Sequence, residues 1–185
     1  MLQREMVEQA RSGDRDAFSA LAGSVVDRLY ATALLILRDR SMAEDAAQET
    51  IERAWRDLPS LRDPDRFDAW LRRLLVNACR DEGRRQRRRG PEVRLISIHV
   101  PSIGDSSAGL ADRDALERAF RRLSPEHRTA VVLHHYNGLS QPEVADATGV
   151  PLGTVKSRIH HAVRALRAAL EADARSADMT RGGTA

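Results

Sequence analysis

The sequence predicts an all-α protein: two small helical domains joined by an extended linker, the second domain a helix-turn-helix. Apolar residues recur at three- or four-residue spacing along most of the chain, capping residues stand where the stripes begin, and the period breaks between Gly90 and Ala111. A length of 185 residues suits one medium domain or two small ones, and 42% apolar with 31% charged residues is the balance of a chain that folds.

The elements follow in order. Met1 to Arg11 is polar, without the apolar core of a signal sequence. No stretch reaches the ~20 consecutive apolar residues of a membrane span, so a cytoplasmic protein without membrane insertion is expected. Phe18, Leu21, Val25, Leu29, Ala33 and Ile36 form a first stripe, and Ala43, Ala47, Ile51, Ala54 and Leu58 a second. Phe67, Trp70, Leu74 and Ala78 form a third. Ser41 and Glu44 have capping-box spacing, and Asp63-Pro64 sets a cap before a first-turn proline. Residues 14–89 therefore read as three or four packed helices within an N-terminal domain of residues 1–89.

Residues 90–111 read as the linker, with two Pro, three Gly and four Ser and only one β-like run, Val93 to Val100. Fully extended it reaches at most ~75 Å. Helical spacing resumes at Asp112 with Leu116, Phe120 and Leu123, and Ser124-Pro125 opens a helix through Tyr136. Ser140 and Glu143 form a second capping-box pattern, Ala145 is small where helices approach, and Gly149 can take the positive φ of a tight turn. Pro151 then precedes a final helix with Val155, Ile159, Ala162, Val163 and Leu166 on one face, which completes a helix-turn-helix within residues 112–171. Residues 172–185 read as a flexible tail.

Charge is unevenly placed. All basic residues are Arg except Lys156. Asp39 to Asp68 carries nine acids against five Arg, Arg72 to Arg94 nine Arg against three acids, and Leu152 to Leu170 four bases and no acid. An acidic patch followed by two basic ones points to two kinds of partner, one of them nucleic acid. In the recognition helix Thr154, Lys156, Ser157, Arg158, His160 and His161 fall off the apolar stripe, where the first turns would enter a major groove. Enzymatic chemistry is not expected. The single Cys79 excludes a disulfide or thiolate zinc cluster, and the pairs His134-His135 and His160-His161 point ~100° apart on a helix. No catalytic motif, cofactor loop or metal-ligand set is present, so no cofactor and no metal are expected.

Three stretches carry a family resemblance: Ala43 to Trp55 (AEDAAQETIERAW), Phe67 to Asn77 (FDAWLRRLLVN), and Gly138-Leu-Ser followed by Gly153-Thr-Val-Lys-Ser-Arg158. In this order, within residues 14–170, they resemble the extracytoplasmic-function (ECF) sigma factors of bacterial RNA polymerase. The resemblance implies that the acidic helix, with Asp45, Gln48, Glu49 and Glu52, docks on core RNA polymerase. It implies that Asn77, Arg80, Arg84, Arg85 and Arg88 hold the melted minus-10 promoter DNA, with the loop Pro59 to Arg66 taking a flipped base. Thr154, Lys156, Ser157, Arg158 and His161 would read the minus-35 element, and an inhibitory anti-sigma factor is a common further partner in the family. A stand-alone helix-turn-helix regulator is the alternative, and it leaves the acidic helix and the Asn77 region without a role.

Overall fold

The computed structural model describes residues 2–89 and 108–182. The N-terminal module holds α1 (Leu2–Arg11), α2 (Arg15–Leu37), α3 (Arg40–Asp57) and α4 (Phe67–Arg89), with 3₁₀ turns at Leu58–Ser60 and Pro64–Arg66. The C-terminal module holds α5 (Ala108–Arg122), α6 (Pro125–Val131) continuing into a π turn at Val132–Tyr136, α7 (Gln141–Thr148) and α8 (Leu152–Gly182). There is no strand among the described residues, in keeping with the all-α expectation. The β-like run Val93 to Val100 lies outside the described residues.

α2 is the axis of the first module and packs against α1, α3 and α4. Its Leu21, Val25, Leu29, Ala33 and Ile36 are buried, as their spacing predicts, and each large side chain so buried contributes ~1.5–3 kcal/mol. By length and composition α2 could also cross a membrane, but here those residues form the core shared with its neighbours. On α4 the buried stripe is Phe67, Leu71, Leu75 and Ala78, whereas Trp70 and Leu74 are only half-buried. The core face is thus rotated from the expected one, leaving Trp70 at its rim with its ring 6.1 Å from that of Phe67.

The structure departs from the sequence reading in four places. α3 is capped by Asp39, whose Oδ1 accepts the Met42 N–H at 2.9 Å, so Ser41 lies inside the first turn and caps nothing. Asp is as good an N-cap as Ser, and it comes first. α1 was not legible in a polar segment, yet its Val7 and Ala10 are buried against the bundle, and Arg4 Nη1 reaches Asp65 Oδ2 at 2.6 Å. In the second module α5 begins at Ala108, inside the expected linker, and buries Ala115 and Ala119, with Leu123 buried just beyond its end, while Leu116 is 42% exposed. α8 continues to Gly182, so the expected tail is helical over most of its length, as its many Ala residues favour.

The helix-turn-helix forms as expected. Ser140 Oγ accepts the Glu143 N–H at 3.5 Å, and Glu143 Oε2 accepts the Ser140 N–H at 2.8 Å, a reciprocal capping box. The Ser140 hydroxyl and N–H hold the Glu143 carboxyl below its usual range, so this support is present at neutral pH and fades as pH falls through the lowered value. Gly149 ends α7 at φ 68°, and Val155, Ile159 and Ala162 of α8 are buried against the second module.

Leu71 is 1% exposed, and Leu71→Ala is expected to lower stability by about 2–5 kcal/mol in chemical denaturation, through lost burial and a residual cavity. At Gly149 a Cβ would meet no atom within 4 Å, so Gly149→Ala is expected to cost roughly 1–2 kcal/mol from backbone strain alone. A lowered unfolding midpoint with the helical circular dichroism of the folded state retained would confirm it.

Candidate nucleic-acid and partner interfaces

The acidic residues of α3 do converge. Asp45, Gln48, Glu49 and Glu52 line one groove, closed on its far side by Glu82 and Arg85 of α4. Asp45, Gln48 and Glu52 are exposed, and Gln48 Nε2 donates to Glu52 Oε1 at 2.8 Å. Glu49 is half-buried and more engaged: its Oε1 accepts Arg53 Nη2 at 2.6 Å, and Arg53 also reaches Asp81 Oδ2 at 3.2 Å. Arg85 donates to the buried carboxylate of Glu82 and reaches Glu49 Oε1 at 3.4 Å. Glu82 first and Glu49 second hold this guanidinium above its ordinary range. Arg85, grouped with the DNA readers on sequence, therefore lies in the acidic groove, and Glu82 is a groove residue that the sequence reading missed. The available cue was the acidic pair Asp81-Glu82 interrupting an Arg run, three residues before Arg85.

Four other α4 arginines face a second pocket. Arg80, Arg84, Arg87 and Arg88 line it together with Arg158 of α8. Asn77 is half-buried, and its Oδ1 accepts Arg80 Nη1 at 3.4 Å, so these two are brought together. Glu126 also lines this pocket, its carboxyl held below the usual range by its own backbone N–H and by Ser124, with Arg158 and Arg87 adding to the effect. Cys79, buried on the same helix, has its thiol pushed up to about 12 by burial, with Glu82 adding to it, so it stands as a thiol and not a thiolate at neutral pH.

On α8, Lys156, Ser157 and His161 are exposed, while Thr154 and Arg158 are half-buried. All five sit in the first three turns, off the buried Val155/Ile159/Ala162 face, which is the placement a groove-reading helix needs. The five do not form a separate surface, because Arg158 turns toward the α4 arginines.

Comparison with known proteins agrees with this geometry. Residues 21–89 match sigma-70 region 2 and residues 113–166 match sigma-70, region 4. The first match covers α3 and α4, the segment that a stand-alone regulator would leave without a role. The chain is 36% identical over 167 residues to the ECF RNA polymerase sigma factor SigL of Mycobacterium tuberculosis, covering 86% of this chain and 94% of SigL. Its fold is similar to that of CnrH, solved in complex with the cytosolic domain of CnrY, at a TM-score of 0.66 and 30% identity over 94% of this chain and 99% of that one. It is also similar to RpoE of Bartonella quintana, solved with the anti-sigma factor NepR, at a TM-score of 0.68 and 27% identity over 83% and 96% of the two chains. With both regions in order on one helical chain, and this likeness extending over nearly the whole length of SigL, the protein belongs to the family of ECF RNA polymerase sigma factors.

Proposed function

We propose that the chain binds core RNA polymerase through the α3 groove and directs promoter recognition, DNA melting and transcription initiation in the cytoplasm, without catalysing a reaction itself. Asp45, Gln48 and Glu52 present the exposed acceptors of the docking face, and Glu49 is the carboxylate that Arg53 and Arg85 hold in place. Residues 1–89 carry docking and minus-10 recognition, residues 112–171 carry minus-35 recognition, and residues 90–111 join them.

The observation that carries this reading is the division of charge along α4, which turns Arg85 into the acidic groove and Arg80, Arg84, Arg87 and Arg88 away from it. One helix thus separates a surface for a cationic protein partner from one for nucleic-acid phosphates. Asn77 beside Arg80 supplies a hydrogen-bonding edge within the basic surface. The 3₁₀ loop before α4 is pinned by Arg4 to Asp65 and by Asp63 Oδ1 accepting the Asp65 N–H at 3.0 Å, which suits a loop that receives an unstacked base. Removing a base from the stack takes a few kcal/mol, least where the strand is already open. The anti-sigma factor that the resemblance implies would act by covering one of these surfaces.

Purified core polymerase with this chain is expected to produce run-off transcripts from a fragment upstream of the chain's own gene, and core alone none. In gel filtration with core polymerase, Asp45→Arg is expected to weaken co-elution by about tenfold or more, by setting like charges together. Undiminished binding would remove α3 as the docking face. Asp45 is the cleaner position, since Glu49 also anchors two arginines. Arg158→Ala is expected to cost about 1–3 kcal/mol of discrimination at one minus-35 position, measured by competition among promoter variants. Unchanged selectivity would assign Arg158 to phosphate contact or to packing.

A further inference from the structure

α4 packs against α7, and α6 against α2, whose left-handed cap Arg38, at φ 60°, pairs with Glu117 of α5 at 3.0 Å, both side chains being largely buried. Beside this junction runs a cleft with two unlike halves. The inner half, about 450 Å³, is walled by the apolar side chains of Ile36, Leu37, Met42 and Val76. The outer half, about 660 Å³, is the arginine pocket described above, and Arg84 and Arg88 line this half alone. Arg80, Arg87, Glu126, Thr148 and Arg158 line both, and so stand where the halves join. Each volume lies in the range of a small-ligand site.

Three features suit this cleft to an anion with an apolar body. The first is charge. Arg80, Arg84, Arg87, Arg88, Arg128 and Arg158 line it, against the one carboxylate of Glu126 among the described residues. A cleft lined by one sign of charge concentrates ions of the other, and the guanidinium fork matches phosphate oxygens. The second is Arg128, which is buried at the inner half. Its Nη1 donates to the Ile36 carbonyl and its Nη2 to the Leu123 carbonyl, each at 2.9 Å, while its Nε makes no hydrogen bond within the protein. Burial first and Arg38 second push this guanidinium down to about 10, so at neutral pH it is still a cation, with no carboxylate of the described residues hydrogen-bonded to it. A buried charge of that kind is stabilised by an opposite charge brought near. The third is Gly83, a glycine inside α4, where it weakens the helix relative to alanine. A Cβ there would meet only Arg87 Nη2, at 3.9 Å, so packing does not demand glycine. Its missing side chain leaves the inner half open.

We infer that this cleft binds a nucleoside polyphosphate, with the base in the apolar half, the ribose at Glu126 and the phosphate chain on Arg84, Arg88 and the arginines at the join. A carboxylate at that point accepts hydrogen bonds from ribose hydroxyls, as acidic residues do in other nucleotide sites. Inorganic polyphosphate shares the phosphate chemistry but has nothing to place in the inner half. A bound nucleotide would cover Arg80 and Arg158 and so exclude promoter DNA from them. That consequence rests on their reading as DNA contacts, whereas the site itself rests on the cleft.

The test is calorimetric titration of the full chain with ATP, GTP and tripolyphosphate, at fixed ionic strength and without divalent cations. At least one nucleotide is expected to bind about tenfold tighter than tripolyphosphate, although tripolyphosphate carries no less charge. Gly83→Leu fills the inner half and favours the helix. It is expected to abolish the nucleotide's margin and to leave tripolyphosphate binding at the wild-type level, which also shows that the variant is folded. Arg87→Gln is expected to weaken both kinds of ligand by about fivefold or more, through a lost charge-assisted hydrogen bond. The site is overturned by a wild type that binds neither nucleotide, by tripolyphosphate bound as tightly as ATP and GTP, or by a Gly83→Leu variant that changes both kinds of ligand or neither. Saturating nucleotide is also expected to lower the chain's affinity for a minus-35 duplex. An affinity that stays unchanged while nucleotide binds would uphold the site and overturn Arg158 as a DNA contact.

Discussion

The structure hangs on α2. It is the one long apolar helix of the first module, and its buried leucines and Val25 are the surface on which α1, α3 and α4 are assembled. A helix that serves as a core axis must end somewhere, and its last carbonyls must then find donors. Here one of those donors comes from α6 in the other module. The helix that organises the first module is therefore also the place where the second one attaches.

On this frame, α4 does the electrical work. It lies between an acidic neighbour and the rim of the helix-turn-helix, and successive residues project about 100° apart around its axis. Arg85 is absorbed by Glu82 and Glu49, whereas Arg80, Arg84, Arg87 and Arg88 turn to the opposing basic pocket. Because most of these charges are exposed, their attraction for phosphates is strongly dependent on salt. The buried pairs at the module junction are screened much less.

Much of this was legible in the sequence wherever one local rule decided the matter. Ser140 with Glu143, Gly149, and the Val155/Ile159/Ala162 face fixed the helix-turn-helix, because capping, positive φ and helical period are each set within a few residues. The acidic set Asp45, Gln48, Glu49 and Glu52 was legible for the same reason, since residues three and four apart share a helix face. What was hidden depended on residues far apart in the chain. α1 looks polar because only Val7 and Ala10 need to be apolar to seat one short helix. Arg85 was placed among the DNA readers because its partner Glu49 lies on another helix, and Arg38 gave no sign of a left-handed cap because its compensation comes from Glu117. Leu116 follows the apolar spacing yet stands exposed, since Ala115 and Ala119 take the inner face of α5.

One buried atom has a consequence for how such a protein can be governed. Cys79 is the chain's sole sulfhydryl, shut inside the bundle and protonated far above physiological pH. Thiol chemistry proceeds through exposed thiolates, so disulfide exchange finds no cysteine to attack on this polypeptide while it stays folded. A thiol-based redox signal that changes its behaviour has to be received by another molecule and delivered to it as a change of binding partner.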